Sequence, residues 1–594
     1  MVDNQIDLRW WLLSNLASIP SLSIIYRISV IFTFIILIFL AFSPLIFPRT
    51  PTSKLQNFLS SNLIFIISLV TFILAARWPG FLSPMLDPDE GLFIAGAIKL
   101  LKDPVFWRAV DAGSSGPLNV YPLTLPAFFG FRIEYASSRV IGLIMIIAAI
   151  VCLYYALSTL YDKTLSRLAI VPLVTTVALM KESGYVHYTS EHFSIAILSV
   201  ALLIVCKYHA GNSSNPNRLI FALGFIIGLT PFSKMQSVPI AFSIACIFLH
   251  ILWLKSSARG KFIRSLAAFF LGGILFSALV VLYLIIFSIY DAFWTSYIQQ
   301  NLLIYSSNGL GGNLTQVTFL AKINIFLDML VRVQDTQMLF LLTAIALIVG
   351  IPFLIIKRFS LSPHQEKPNT FCFVYYSLVI LAASSYSVIR PGNSFPHYLL
   401  FLIIPSGFLL GVFLGELAKV LQVSKFTRSH LKFSLLTGVI FLTVASSFLQ
   451  FTITIISDNF YLDNRRRFAK NYLSPIAKTI LNYASPGESM AVWGSAPQLY
   501  VDTGLIQATR AGVMGSWKYF PLQQYFFKQY ADDLINSNAK LFVDAVAPRM
   551  IGFKDRETQG HEVFPEIARV IKENYRLVDE VQGVRIYGSS ELTL

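Results

Sequence analysis

The sequence predicts a polytopic α-helical membrane protein with a small α/β domain at its C-terminal end. Three observations predict it. The 594-residue chain is 55% hydrophobic and 13% charged, with a mean hydropathy of +0.65. That is more apolar surface than a water-soluble chain of this length hides, so lipid has to cover it. Apolar runs of bilayer length recur as far as residue 455. After about residue 456 those runs stop, charges of both signs mix in, and strand-type pieces alternate with helix-type ones.

In chain order, runs at 29–47, 60–78, 138–160, 166–180, 192–209, 219–232, 238–254, 265–290, 336–356, 371–388, 396–417 and 433–455 predict about twelve spanning helices. A spanning helix needs roughly 20 apolar residues, and 166–180 and 219–232 are short by that measure. Residues 1–28 form an N-terminal segment with acids at Asp3 and Asp7 and no small-residue cleavage pattern. Basic residues collect at Arg49/Lys54, Lys255–Arg264, Lys357–Lys367 and Lys419–Lys432. Alternating helices put all four groups on one side, which the positive-inside rule makes the cytoplasm. The net charge of +15 is thereby explained without nucleic acid as a partner.

The outer side then holds loops 79–137, 181–191, 233–237, 291–335 and 389–395 and everything from 456 to 594. The domain partition that follows is 1–28, 29–455 and 456–594. In the last part, Ser489–Trp493, Lys540–Val546 and the pair Tyr575–Val581/Gly583–Tyr587 read as strands, and Phe520–Asn536 and Val563–Asn574 as helices. Cys152, Cys206, Cys246 and Cys372 lie in apolar runs without metal or redox spacing and read as small core residues.

The chemistry-bearing residues lie in the outer loops. Asp87-Pro88-Asp89-Glu90 follows the second run directly. Proline and acids suit a helix start, where free N–H groups and the dipole favour negative charge, and Gly91–Leu101 reads as an amphipathic helix in the membrane interface. Asp111 begins a Gly/Ser-rich stretch that leads to Gly116-Pro117-Leu118, and Pro126 and the phenylalanines beyond it suggest a second interfacial helix. The next loop supplies His187 and Glu191, the 233–237 turn supplies Lys234, and Arg390-Pro-Gly-Asn-Ser-Phe-Pro-His397-Tyr398 supplies an Arg and a His. Acids from two loops and cations from two others converge on one face. Arg and Lys are suited to phosphate, and a carboxylate to accepting a proton.

This pattern resembles the GT-C glycosyltransferases: an Asp-Glu pair opening an outward loop, a following interfacial helix, about a dozen spans and a C-terminal outer domain. Within that superfamily it is similar to the dolichyl-phosphate-mannose protein mannosyltransferase-like enzymes, which include the lipid A aminoarabinose transferase. The resemblance rests on Asp89-Glu90, Gly116-Pro117-Leu118 and Phe395-Pro396-His397-Tyr398 and covers the chain to about residue 455. It implies a polyprenyl-phosphate sugar donor, an acceptor hydroxyl on a lipid, glycan or protein, and inversion in a single displacement. It also implies Asp89 as base with Glu90 beside it, Lys234, Arg390 and His397 on the donor phosphate, and Asp87, Asp111 and Glu191 in support. A divalent metal would draw ligands from Glu90, Asp111, Glu191 and His187.

One departure stands out. The aminoarabinose-transferase branch carries Glu-Lys-Pro-Pro-Leu in its first loop, where this chain has Ser114-Ser115-Gly116-Pro117-Leu118. Asp111 or Glu191 then takes the place of the missing acid, and Lys234 that of the missing lysine. The bacterial branch of the resemblance implies an inner-membrane protein with its site and C-terminal domain outside the cytoplasm.

A transporter or flippase is the competing class, but transporters place ionisable residues near the midplane, whereas these lie at the outer ends of spans. In the C-terminal part, Arg465-Arg466-Arg467 reads as a solvated helix face or an anion contact. Trp493, Trp517, Tyr519 and Tyr525 read as core aromatics or sugar-stacking groups. Asn313-Leu314-Thr315 is a glycosylation sequon on the outer side.

Overall fold

The computed structural model describes residues 5–46, 54–211, 215–256, 258–305, 318–359, 370–423, 429–456, 460–514 and 522–590. Among them, ten helices are long and apolar enough to span a bilayer, and the chain is an integral membrane protein. The two short predicted runs form helices Lys163–Leu179 and Pro216–Leu229. At 1.5 Å per residue the first is about 26 Å long. It is sheathed by other helices, and every residue from Leu168 to Leu179 is buried. The second runs tightly against helix Arg259–Ile286: a Cβ on Gly224 would lie 2.0 Å from the Phe269 carbonyl oxygen, and one on Gly272 2.2 Å from that of Phe221. Small residues replace the missing hydrophobic drive between helices in lipid by letting backbones touch.

At the opposite end of the bundle from the outer loops, the buried Arg167 holds two of the spans. Its guanidinium donates to the carbonyls of Leu40 (2.9 Å), Ser60 (2.7 Å) and Ser61 (2.9 Å) and to Ser43 Oγ (3.1 Å). Of the four cysteines, Cys206 is buried, while Cys246 is exposed on the bundle surface.

The C-terminal sheet has the order β2-β1-β3-β5-β4, with β1 Ser489–Trp493, β2 Ile506–Gln507, β3 Leu541–Asp544, β4 Tyr575–Val581 and β5 Val584–Ser589. β2, β1 and β3 are parallel, and β5 and β4 continue antiparallel. Helices Gln523–Ser537 and Pro565–Asn574 cover one face with Trp493, Phe542 and Ile567 at its core. Helices Pro475–Tyr483 and Gln498–Thr503 cover the other with Val492, Leu499 and Ile586. These last two helices and β2 are too short to stand out as periodic runs in the sequence. Trp493 is fully buried, and its Nε1–H donates to the Gln559 carbonyl (2.8 Å), so it is a core residue. Trp517, Tyr519, Asn313–Thr315, Arg49, Lys367, Lys425 and Arg428 lie outside the described residues.

Two readings of the sequence need correction. The helix after the acidic stretch, Pro88–Leu100, does not lie in the lipid interface: Glu90 through Ala97 are all buried. Its Ala95 joins the apolar cluster of Ile480, Val492 and Leu499 in the C-terminal region, and Phe93 and Ile94 pack with the first loop. Protein covers both faces, which is why its residues read as apolar all round. The reading of the arginine run as a solvated face needs correction at one residue: Arg466 and Arg467 are exposed, but Arg465 is buried. Arg465 donates to the carbonyls of Leu16 (3.1 Å) and Ile19 (2.7 Å), and Arg466 to that of Ala17 (3.1 Å). They satisfy the carbonyls left open at the end of helix Leu8–Leu16.

The same corner gathers titratable groups from three parts of the chain. Asp7 pairs with Arg132 (3.1 Å) and accepts from the Tyr472 hydroxyl; Arg132 also donates to the Val501 carbonyl, and Tyr135 OH to Asp502 Oδ1 (3.5 Å). Burial pushes the Asp502 carboxyl up to about 6, against the pull of Arg9 and Arg132. Burial, followed by the charge of Asp7, pushes Glu134 up to about 7. Both carboxyls hold protons more tightly folded than unfolded. The stability they contribute is therefore complete below about pH 4 and is lost as pH rises through about 6 to 7. Asp502→Asn is expected to raise the thermal midpoint at pH 8 by on the order of 2 °C and to flatten its fall between pH 5 and pH 8. A differential scanning fluorimetry series with unaltered pH dependence would contradict this.

Candidate functional site

Asp87 caps helix Pro88–Leu100, with its Oδ1 accepting the Asp89 N–H at 2.9 Å. Asp89 itself is exposed in the first turn, while Glu90, one residue on, is fully buried. Glu90 meets Arg139 fork to fork: Nε–H to Oε1 and Nη2–H to Oε2, both 2.7 Å. The remaining donors of Arg139 reach the carbonyls of Gly80, Ser83 and Pro84, each at 2.9 Å, and Ser83 Oγ at 2.7 Å. The pair thus locks the turn between the second span and the acidic helix. Sequence reasoning overlooked Arg139. Its signal was an arginine at the start of an apolar run, a costly placement that demands a partner.

Glu191, Lys234, His187 and His397 come together. Lys234 sits in an extended stretch between two short 3-10 turns. Its ammonium donates to Glu191 and to Ser190 Oγ (2.6 Å) and lies 5.0 Å from the centre of the Tyr398 ring. Glu191 is fully buried and Lys234 nearly so. The charges acting on His397 include those of Glu191, Lys234, His187 and, least of these, Asp87. The His187 and His397 ring centres are 6.0 Å apart. His187 Nδ1 lies 2.8 Å from the Tyr188 carbonyl, which can only accept, so the proton is on Nδ1. That leaves a buried Nε2 with no hydrogen-bond partner among the described residues.

The first loop is laced onto the Lys234 turn. Gly116 N–H donates to the Ser233 carbonyl (2.8 Å), as does Asn119 Nδ2 (2.6 Å); Ser233 Oγ donates to Asn119 Oδ1 (3.0 Å). A Cβ at Gly116 would lie 2.1 Å from the Phe232 carbonyl oxygen, so only glycine permits this approach. Ser115 and Lys234 form an isolated antiparallel bridge. The charge-free Ser-Ser-Gly-Pro-Leu segment is thus built against the lysine.

Arg390 ends helix Cys372–Ile389 at the surface, with its carbonyl accepting from Lys322 Nζ (2.9 Å). Asp111 goes elsewhere: its N–H donates to the Arg510 carbonyl (2.8 Å), and its Oδ1 accepts from Gly113 N–H (2.9 Å). The expected metal set therefore does not fit an ion. Both Glu90 oxygens face Arg139, Glu191 faces Lys234, and Asp111 lies against the C-terminal region. Among the described residues, three ligand atoms fall within 4.8 Å of one another at Asp544, His561 and Glu562. There Arg556 holds Asp544 (2.8 Å) and Arg585 holds Glu562 (2.7 Å), so an ion would have to displace two guanidinium groups.

No family model matches this sequence, and no curated protein matches it. Solved structures do match in fold. ArnT from Cupriavidus metallidurans bound to undecaprenyl phosphate superposes with a TM-score of 0.53 at 11% identity, over 90% of this chain and 100% of that one. Its apo state gives 0.52 at 12% identity, over 89% and 98%. The oligosaccharyltransferase AglB from Archaeoglobus fulgidus gives 0.39 at 10% identity, over 91% and 75%, too loose a superposition to argue from. The likeness to ArnT shows the architecture: this chain shares the fold of that protein.

Glu90→Gln leaves the Arg139 charge buried without its counter-charge and is expected to cost about 3–5 kcal/mol of stability. Replacing both residues with glutamine is expected to cost less than the sum of the single changes. Strictly additive losses in a double-mutant cycle of thermal or denaturant unfolding would show that the two do not act as a pair.

Proposed function

We propose that this protein is an inverting glycosyltransferase that moves a sugar from a polyprenyl-phosphate donor to an acceptor hydroxyl at the outer membrane face. The observation that carries the reading is the buried Lys234–Glu191 pair with His187 and His397, set above an apolar groove. That groove is lined by Ile195, Leu198, Ile240, Ile244, Phe401 and Ile404, on the same three helices that Glu191, Lys234 and His397 begin or precede. A lysine held by Glu191 beside two histidines, above an apolar trough, suits a lipid phosphate. The structure of ArnT bound to undecaprenyl phosphate supports that donor chemistry.

In this reading Lys234, His397 and Arg390 bind the donor phosphate, and Glu191 positions the Lys234 ammonium. Asp89 takes the proton of the acceptor hydroxyl as its oxygen bonds to the anomeric carbon. The bond from that carbon to the phosphate oxygen breaks, and polyprenyl monophosphate leaves with both electrons. Glu90 acts through Arg139 by fixing the turn that presents Asp89, and Asp87 caps the same turn. The reading places residues 29–455 as the catalytic membrane domain and 456–594 as a domain outside the cytoplasm, in a bacterial inner membrane. The acceptor is a cell-envelope glycan, a glycolipid or a protein.

In membranes supplied with radiolabelled polyprenyl-phosphate hexoses and pentoses, wild type is expected to release label from one donor. Asp89→Asn should lower that rate by about 10²-fold or more while donor binding persists. Equal consumption by both proteins would rule out Asp89 as the base.

A further inference from the structure

Phe128 and Phe129, 75% and 76% exposed, are the most open large apolar side chains among the described residues. Neither lies in a span. They end the short first-loop helix Leu125–Phe128, and Phe129 stands five residues before Glu134, the N-cap of span Tyr135–Leu160. Leu125 in the same turn is exposed as well. The N-terminal helix Leu8–Leu16, which leads six residues on into span Leu22–Ile46, adds exposed Trp10 and Trp11, with exposed Ile6 just before it.

The two segments are one unit. The Ile6 N–H donates to the Gly130 carbonyl (2.8 Å) and the Arg132 N–H to the Ile6 carbonyl (2.9 Å), a parallel bridge between Ile6 and Phe131. The Asp7–Arg132 ion pair (3.1 Å) reinforces it. Arg9 and Leu13 fix the inner face of the N-terminal helix: both are buried, and Arg9 Nε donates to the Leu82 carbonyl (3.2 Å). The exposed face carries the tryptophans, then Ser14 and Asn15, whose side chains donate back to the Trp11 carbonyl (3.1 and 2.7 Å).

An apolar cluster of this kind is not left open to water. Its place in the fold identifies lipid as the cover. Both segments run directly into spans, so the cluster stands at the level where helices leave the bilayer. Ile24, Ile25 and Ile28 of span Leu22–Ile46 are exposed, so the cluster continues along the chain into a surface that lipid already covers. Tryptophan also favours this depth, with its ring at the acyl boundary and its N–H among the head groups.

We propose that Ile6, Trp10, Trp11, Leu125, Phe128 and Phe129 form one interfacial anchor, seated in the lipid leaflet on the side of the site. The anchor is tied to the C-terminal region, since the Tyr472 hydroxyl donates to Asp7 and Arg132 to the Val501 carbonyl. The membrane surface thereby sets the height at which that region covers the acidic helix. Seating in lipid does not depend on which reaction the site performs.

The test replaces Trp11, Phe129, Ile28 or Leu577, one per variant, with the photo-crosslinker p-benzoylphenylalanine in the full-length chain in phosphatidylcholine nanodiscs. All four side chains are exposed, so each variant keeps its packing. After irradiation, intact-mass spectrometry is expected to show a lipid adduct at Trp11 and at Phe129, as at the span position Ile28. None is expected at Leu577, on strand β4 of the C-terminal sheet. Lipid capture at Ile28 with Trp11 and Phe129 unlabelled, or joined to a second copy of the chain, would overturn the proposal. Capture at only one of the two would do the same, because the bridge makes them a single anchor. Equal capture at Leu577 would reduce the contact to random collision and overturn it as well.

Discussion

The rest of the structure depends on one buried ion pair. Arg139 and Glu90 are both wholly inaccessible, and each would be prohibitively costly alone. Together, with three carbonyls and Ser83 Oγ completing the guanidinium shell, they form a closed unit with little freedom to rearrange. That unit joins the head of one span to the end of another. It also sets the direction in which the acidic helix leaves the membrane, and hence where Asp87 and Asp89 stand. A carboxylate that looked like half of a catalytic pair in sequence is in space the anchor that positions its neighbour.

The second constraint is the lacing of the first loop onto the Lys234 turn. The glycine at 116 allows backbone-to-backbone approach, Asn119 and Ser233 exchange hydrogen bonds, and Ser194 Oγ lies 2.8 Å from Ser233 Oγ. A buried lysine could adopt many rotamers. Here Glu191, Ser190 and the Tyr398 face leave it one direction, toward the side where His187 and His397 meet. Preorganised charge of this kind carries more weight in a low-dielectric site than the same charge in water.

The C-terminal region contributes by covering. It buries the acidic helix from above, meets the first loop at Asp111 and Arg510, and ties the N-terminal helix through Arg465 and Arg466. Three distant segments share that corner, so its carboxyls lose water and hold their protons to higher pH. The arrangement makes the covering region part of the site's scaffold instead of a separate appendage.

Much was legible in the chain itself. Composition and run lengths determined a polytopic membrane protein, because water cannot solvate that much apolar surface. Basic loops and acids at the other span ends divided the charged residues into two sets, since charges at span ends are cheap only where they meet water or a partner. Ser489–Trp493 and Tyr575–Val581 were readable as short runs holding β-branched and aromatic residues between polar and turn-forming ones. Tertiary structure alone decided the pairings: Glu90 with Arg139 and Glu191 with Lys234, while the Asp111 backbone meets that of Arg510 away from the first acids. It also decided that the helix after the acids lies under protein and not under lipid. Local sequence reports what each segment must hide, whereas the partner that hides it comes from residues tens to hundreds of positions away, and no period or spacing encodes that choice.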